Sequence, residues 1–150
     1  MSERTAERAR QPIVVGVDGS PDCLVAVEWA AREANDRGVP LVVVHVDAVD
    51  VHEEAAIKIL EDIARFDNES LAAGVEWALK TAPDLSITAK LLNPPTIDRL
   101  LEESANASLL VVGSRGLGAL RSMLLGSVSS ACAAAANCPV VVVNGARAAQ

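Results

Sequence analysis

Aromatic side chains are nearly absent from this sequence of 150 residues. Phe, Trp and Tyr together make up 2% of the chain, whereas hydrophobic residues make up 51%. The core must therefore consist of Val, Leu, Ile and Ala, a composition that favours tight packing of helices on a sheet over a surface that stacks nucleic-acid bases. The length suffices to bury such a core as a single domain.

Clusters of positive charge are also missing. The formal net charge is −7, and binding to a nucleic-acid backbone requires clustered Lys and Arg. We therefore expect no nucleic acid among the partners. The arginines within residues 1–11 alternate with glutamates, which predicts a solvated, mobile N-terminal tail.

Long apolar runs and paired cysteines are missing as well. No run approaches the roughly 18 residues of a membrane span, and the residues before Pro12 carry charges without an apolar stretch. We expect no membrane insertion, no signal peptide and a cytoplasmic location. Cys23, Cys132 and Cys138 form no CxxC pair, and neither histidine has ligand spacing with a cysteine. Buried, reduced thiols and no metal site are the expectation.

Apolar runs alternate with helical patterns along the chain. Continuous apolar runs over Ile13–Val17, Leu41–Val46, Leu109–Val112 and Pro139–Val143 predict strands that are buried on both faces. Ser86–Leu92 mixes polar and apolar side chains, which predicts a half-exposed edge strand.

Helices are predicted between these strands. Ser20, Pro21 and Asp22 form a helix start, and the apolar pattern that follows ends at Gly38. Further helices are predicted over about 53–80, with a break at 67–70 left open, and over Thr96–Glu103 and Ser127–Ala136.

The alternation of strands and helices predicts one α/β domain over residues 12–145, followed by a short tail at 146–150. Its strands should be parallel and joined by right-handed crossovers. A ligand crevice is then expected at the carboxyl ends of the strands. The pattern alone leaves the strand order open.

The stretch "VVGSRGLGALRSMLLGSVSSA", residues 111–131, has glycines at a spacing typical of a ligand loop. A P-loop is excluded because no lysine lies between Gly113 and Gln150. A dinucleotide fingerprint is disfavoured, since Arg121 stands where its third glycine belongs and the loop follows the fourth strand rather than the first.

The remaining pattern is Gly113-x-x-Gly116, nine residues, then Gly126-Ser127. It suggests an anion site in which amides and the hydroxyl of an N-cap serine meet a phosphate at the start of a helix. Arg115 would supply positive charge. The alternative is an ordinary flexible connection between a strand and a helix.

Asp18 lies in "GVDGS", which is similar to the DxDG[ST] motif of aspartate-nucleophile phosphatases. Gly16 occupies the position of the nucleophile, so the sequence offers no attacking group. We predict no catalytic residue. Asp18 is either a nucleotide contact or only a turn-forming residue.

The spacing G-x2-G-x9-G-[S/T] resembles the nucleotide-binding signature of universal stress proteins. The segments "PIVVGVDGSPD", "PLVVVHV", "SLLVVGSRGLG", "LLGSVSS" and "CPVVVV" extend the resemblance over nearly the whole chain. It implies a five-stranded parallel sheet in the order 3-2-1-4-5 with helices on both faces. It also implies a homodimer formed through the last strand, Val140, Val141, Val142 and Val143.

The resemblance further implies an adenine-nucleotide site. ATP, with or without Mg²⁺, is the expected ligand, with AMP or cyclic AMP as alternatives, and hydrolysis is slow or absent. The function would be nucleotide-dependent regulation, or that of a dimeric interaction module that needs no nucleotide. The implied site residues are Asp18 and Val46 at the adenosine, Gly113, Ser114, Arg115, Gly116, Leu117, Gly118, Gly126, Ser127 and Val128 at the ribose and phosphates, and Gly16 and Val17 as further nucleotide contacts.

Overall fold

The computed structural model describes residues 2–47, 57–115 and 125–145. Within these ranges the chain forms five helices and five strands, in the order α1 (Glu3–Ala9), β1 (Ile13–Val17), α2 (Pro21–Arg37), β2 (Leu41–Val46), α3 (Ile57–Thr81), β3 (Ile87–Leu92), α4 (Thr96–Ser104), β4 (Leu109–Gly113), α5 (Ser127–Ala135) and β5 (Val140–Val143). The predicted strands and helices agree with these bounds to within a few residues. The predicted start of α3 near residue 53 lies outside the described residues, and α3 continues without a break through 67–70.

The five strands form one parallel sheet in the order β3-β2-β1-β4-β5. This confirms both the α/β fold and the strand order that the resemblance implies. In the central strand, Ile13 pairs with Leu41 on one side and with Leu109 on the other. The connections from β1 and β4 therefore diverge to opposite sides, and a crevice opens above the ends of these two strands.

Helices cover both faces of the sheet, which is why β1 is apolar throughout and β2 is apolar except for His45. α2 and α3 pack on one face, where Val15, Val43 and Ala30 are fully buried. α4 and α5 pack on the other through Leu100 and Cys132. Among the helices that the structure describes, none has the length and apolar character needed to cross a membrane.

The ends of α2 follow the predicted signals, with one difference in how the helix begins. Ser20 has extended backbone at the N-cap, Pro21 is the first helical residue, and Gly38 ends the helix in the left-handed conformation (φ 68°). The Ser20 hydroxyl makes no capping hydrogen bond. Instead, Oδ1 of Asp18 accepts a hydrogen bond from the Ser20 amide at 2.8 Å, so Asp18 organises the turn that leads into the helix.

Two other features differ from the expectations. Residues within the predicted N-terminal tail form α1, whose Arg8 guanidinium donates a hydrogen bond to the carbonyl oxygen of Asn137 at 2.7 Å. The pattern of charges before Pro12 did not indicate this helix. All three cysteines are free thiols, but Cys138 is only half-buried, whereas the other two are buried as expected.

Candidate functional site

A crevice lies at the carboxyl ends of β1, β2 and β4, beside the starts of α2, α4 and α5. Its cavity measures about 450 Å³, within the range of about 300–1,000 Å³ that is typical of small-molecule sites. The lining residues come from these elements and from α3: Gly16, Val17, Asp18, Ser20, Cys23, Val44, His45, Val46, Phe66, Asp67, Thr96, Leu100, Val112, Gly113, Arg115, Gly126, Ser127, Val128 and Ser129.

Most of the site residues predicted from the sequence line this cavity. They are Gly16, Val17, Asp18, Val46, Gly113, Arg115, Gly126, Ser127 and Val128. Ser114 is not among the lining residues, and it is only 2% exposed. Gly116, Leu117 and Gly118 lie outside the described residues.

Ser114 joins the two ends of the glycine loop, which we define as residues 113–126. Its carbonyl oxygen accepts hydrogen bonds from the Gly126 amide at 2.6 Å and from the Ser129 hydroxyl at 3.0 Å. Its own amide donates to the carbonyl oxygen of Val143 at 2.8 Å. The start of α5 is therefore fixed beside the ends of β4 and β5, and Ser114 has a structural role in the loop.

The N-terminus of α5 lies at the cavity, but its N-cap is not the predicted residue. Gly126 has extended backbone (φ −74°, ψ 171°), and its carbonyl oxygen accepts the first helical hydrogen bond, from the Ser130 amide at 3.0 Å. Gly126 is thus the N-cap, and the prediction that Ser127 caps the helix is wrong by one residue. Ser127 occupies the first helical position with an exposed side chain. The amides of the first helical turn have no acceptor within the helix and suit an anion.

Arg115 is the one arginine or lysine among the described lining residues. Its Nε lies 3.9 Å from Oδ2 of Asp22, in the first turn of α2. The same carboxylate oxygen accepts a hydrogen bond from the Ser114 hydroxyl at 3.5 Å. The end of β4 packs directly on this turn of α2, because a Cβ at Gly113 would be in ordinary van der Waals contact, at 3.4 Å, with the backbone of Asp22.

The part of the cavity at the end of β2 combines apolar and polar side chains. Val46 is buried at the end of β2, and the ring of Phe66 on α3 is 42% exposed. Asp18 contributes a carboxylate here, and the buried Ser20 hydroxyl has no hydrogen-bond partner within the described ranges. Burial raises the pKa of the neighbouring Cys23 thiol, which keeps this side chain protonated near neutral pH.

His45 and Asp67 form a buried pair beside this end of the cavity, which the sequence analysis did not predict. The distance from His45 Nε2 to Asp67 Oδ1 is 2.6 Å, and the two side chains are 4% and 3% exposed. Asp67 lies four residues before Leu71 and eight residues before Val75, on the apolar stripe of α3. A carboxylate on an apolar stripe, together with a histidine in a buried strand, was the signal that could have indicated the pair.

A second carboxyl group, Asp47, lies next to Asp67. Burial and the charge of Asp67 raise the pKa of Asp47, and the hydrogen bond between the two carboxyl groups acts in the same direction. Within residues 2–47, 57–115 and 125–145, no three His, Cys, Asp or Glu side chains lie close enough together to hold a metal ion.

Comparison with known proteins agrees with this architecture. The sequence model of the universal stress protein family matches residues 9–144. Universal stress protein Rv2623 of Mycobacterium tuberculosis is 35% identical over 142 residues, which cover 88% of this chain and 47% of that protein. The chain spans about half the length of the curated relatives it matches.

Two solved structures are similar over almost their whole length. A universal stress protein in complex with cAMP has a TM-score of 0.73 and 27% identity, with 91% of this chain and 99% of that chain covered. The universal stress protein from Archaeoglobus fulgidus in complex with dAMP has a TM-score of 0.70 and 25% identity, with coverages of 89% and 98%. The sequence match over most of its length shows that the chain belongs to the universal stress protein family.

Proposed function

We propose that this protein binds an adenine nucleotide in the crevice and serves as a nucleotide-dependent regulatory module. The observation that carries the proposal is the polarity of the cavity. One end offers helix amides and the guanidinium of Arg115, and the other offers an apolar surface and the carboxylate of Asp18. A nucleotide has the same polarity, with anionic phosphates at one end and a flat apolar base at the other.

The phosphate end is supported by the start of α5. Amides of the first turn point toward a ligand at a helix N-terminus, and the helix dipole favours negative charge there. Ser127 adds an exposed hydroxyl next to these amides. Because Ser114 anchors the glycine loop at both ends, these donors are held in place before a ligand arrives.

The base end is supported by Phe66, the single phenylalanine of the chain. Its ring lies against Gly19 and lines the cavity while 42% exposed. An aromatic ring with one open side suits stacking against a purine. The composition of the sequence had favoured aliphatic packing and did not indicate this surface.

ATP is the ligand that the G-x2-G-x9-G-S spacing favours, and the nucleotides bound by the similar structures, cAMP and dAMP, support a monophosphate as the alternative. Hydrolysis is expected to be slow or absent. The lining residues that could act as a general base are Asp18, His45 and Asp67. The last two bind each other, and Asp18 accepts a hydrogen bond from its own turn.

The experiment that tests this proposal has two parts. Mass spectrometry of the ligand released from purified, denatured protein identifies a bound nucleotide. Calorimetry with ATP, AMP and cAMP should then give micromolar affinity for at least one of them, and Asp18→Asn should weaken it. Asp36→Asn, an exposed position near the end of α2, is the matched control. Absence of binding to all three nucleotides would overturn the proposal.

The phosphatase alternative has a separate readout. Wild-type protein should release no phosphate from p-nitrophenyl phosphate, because Gly16 stands where such an enzyme has its nucleophile. Rapid release that is lost in Asp18→Asn would assign enzymatic chemistry to the crevice.

A homodimer formed through β5 is part of the same proposal. β5 is the last strand of the sheet, and its four residues are all valine. An apolar edge strand without charges favours pairing with a second copy of itself about a two-fold axis.

A further inference from the structure

The carboxyl end of β2 holds a histidine whose two ring nitrogens both take part in hydrogen bonds. His45 Nδ1 lies 2.7 Å from the carbonyl oxygen of Val17, the last residue of β1. His45 Nε2 lies 2.6 Å from Oδ1 of Asp67 on α3. The imidazole thus connects the end of the central strand to a helix on one face of the sheet. The side chains of His45 and Asp67 are both buried.

The chemistry of the partners determines where the protons lie. A carbonyl oxygen only accepts, so Nδ1 must carry a proton and donate it to Val17. A second proton lies between Nε2 and Asp67, on either atom, and the pair has no net charge in both arrangements. A buried pair with both nitrogens bound and no net charge is stable in the interior. With both nitrogens bound, this imidazole has no lone pair to offer a ligand or a metal.

The carbonyl group that His45 binds directly precedes Asp18. The Asp18 carboxylate in turn accepts a hydrogen bond from the Ser20 amide at 2.8 Å, and Gly19 between them has φ +85°. The orientation of the Asp18 side chain therefore depends on how the end of β1 is held. His45 binds the peptide group immediately before that side chain.

α3 meets the same turn at a second place. A Cβ at Gly19 would lie 2.9 Å from the Ser70 hydroxyl oxygen and 3.0 Å from Phe66 Cζ. The Ser70 hydroxyl donates to the carbonyl oxygen of Phe66 at 2.8 Å. Because Asp67 lies on the same helical segment, its bond to His45 fixes the part of α3 that packs on this turn.

We propose that His45 and Asp67 are positioning residues that fix the Asp18 turn and thereby preorganise Asp18 for the nucleoside. The inference rests on the proposed function, since it assigns these two residues to the same site. A contact that is already oriented binds more tightly, because the ligand does not have to order it. Neither positioning residue needs to touch the ligand for this effect.

Two variants separate positioning from general stability. His45→Leu together with Asp67→Leu replaces both partners with apolar groups, which preserves packing better than removing one partner and leaving a buried charge. Asp67→Asn keeps the link, because the asparagine amide can donate to Nε2 while Nδ1 still donates to Val17. We expect the double variant to bind AMP on the order of tenfold more weakly, and Asp67→Asn to stay within about twofold of wild type.

The same replacements in an Asp18→Asn background test whether His45 and Asp67 influence AMP affinity through Asp18. If His45 and Asp67 act through Asp18, the double variant should lose roughly twofold or less in that background. An equal loss in both backgrounds would overturn the proposal, as would unchanged AMP affinity of a folded double variant. Calorimetry measures the affinities, and thermal unfolding confirms that each variant is folded.

Hydrogen exchange of the Ser20 amide provides a readout that needs no nucleotide. This amide donates to Asp18, so it should exchange faster in the double variant and at the wild-type rate in Asp67→Asn. Unchanged exchange in the double variant would overturn the positioning role. If wild-type protein bound none of the nucleotides, the proposed function would fail, and the Ser20 amide would still decide whether His45 and Asp67 hold the turn.

Discussion

Arg115, which lines the crevice, approaches Asp22 with 3.9 Å between Nε and Oδ2. Arg115 belongs to the glycine loop, and Asp22 lies in the first turn of α2. The two side chains are 26% and 20% exposed, so the pair is partly shielded from water. A phosphate that binds Arg115 must therefore share it with a carboxylate that is already present.

Asp22→Asn should strengthen the binding of phosphate-bearing ligands. Removing one negative charge beside the phosphates is worth about 1 kcal/mol for a partly exposed pair, which corresponds to roughly fivefold in affinity. Adenosine, which has no phosphate, should bind the variant and wild type equally. Glu28→Gln changes the net charge by the same amount on the same helix and is the control. Calorimetry with AMP and adenosine measures the effect, and an equal gain for both ligands would contradict the local explanation.

Ser127→Ala should weaken nucleotide binding with little change in stability. A hydrogen bond to a charged group is worth about 1.5–3 kcal/mol. Because Gly126 rather than Ser127 is the N-cap, loss of the Ser127 hydroxyl removes no capping interaction. Ser130→Ala, an exposed position on the same helix outside the cavity, should change neither property. A lower melting temperature with unchanged affinity for Ser127→Ala would show that the hydroxyl supports only the helix.

These two sites illustrate what a sequence pattern can and cannot predict. The spacing of Gly113 and Gly126 predicted a strand end and a helix start that both border the cavity, because such ends have local backbone requirements. The ion pair of Arg115 with Asp22 joins residues that are far apart in the chain, and no local pattern connects them. The position of a helix boundary also depends on backbone angles, which is why the cap was misplaced by one residue.

Phe66→Ala should weaken binding of AMP by about 1–3 kcal/mol, the usual contribution of an aromatic side chain stacked on a base. Ribose 5-phosphate has the phosphate but no base, so its affinity should not change. Leu79→Ala removes another exposed apolar side chain of α3 that does not line the cavity, and it should affect neither ligand. Equal losses for AMP and ribose 5-phosphate would assign Phe66 to the support of the Asp18 turn instead.

Asp47→Asn should remove one contribution that lowers the stability of the wild type as pH rises. Burial and Asp67 raise the pKa of Asp47 above its ordinary value of 3.8. The Asp47 carboxyl group therefore stays protonated to a higher pH in the folded chain than in the unfolded chain. Asp47 therefore lowers the free energy of unfolding as pH rises from its unfolded pKa through its raised folded pKa. The asparagine variant lacks this loss.

Denaturant unfolding at intervals from about pH 4 to about pH 7 measures the difference. The free energy of unfolding of Asp47→Asn, compared with that of wild type, should increase across this range. Asp84→Asn, an exposed position in the turn after α3, is the control and should show no such trend. Parallel curves for wild type and Asp47→Asn would mean that neither burial nor Asp67 raises the pKa of Asp47 in the folded protein.

Strands and helices were predictable because their signals lie within short segments. The runs of β1 and β2 are apolar on both faces, apart from His45, and such runs fit a sheet that is covered on both sides. Pro21 and Gly38 mark the ends of α2 for equally local reasons. His45 and Asp67 are 22 residues apart, and only the packing of α3 on β2 brings them together. Side-chain pairs of this kind depend on the tertiary structure, so this part of the cavity was only partly predictable.

The edge of β5 leads to the last prediction, because only alternate residues of this strand face its neighbour. The carbonyl oxygens of Pro139 and Val143 accept hydrogen bonds from the amides of Leu110 and Ser114. In a parallel pair, the backbone groups of every second residue face the same neighbour. Val142 therefore directs its amide and carbonyl groups to the free edge of the sheet, where a second copy could pair with them.

Val142→Pro should convert the proposed dimer to a monomer while leaving the pairing of β5 with β4 intact, since proline removes only the amide at the free edge. Val142→Ala loses similar packing but keeps that amide, and it should remain dimeric. Val141→Pro removes an amide that faces β4 and should instead lower the melting temperature of the fold. Light scattering at tens of micromolar protein measures the assembly. A monomeric wild type, or a Val142→Pro variant that stays dimeric, would contradict assembly through this edge.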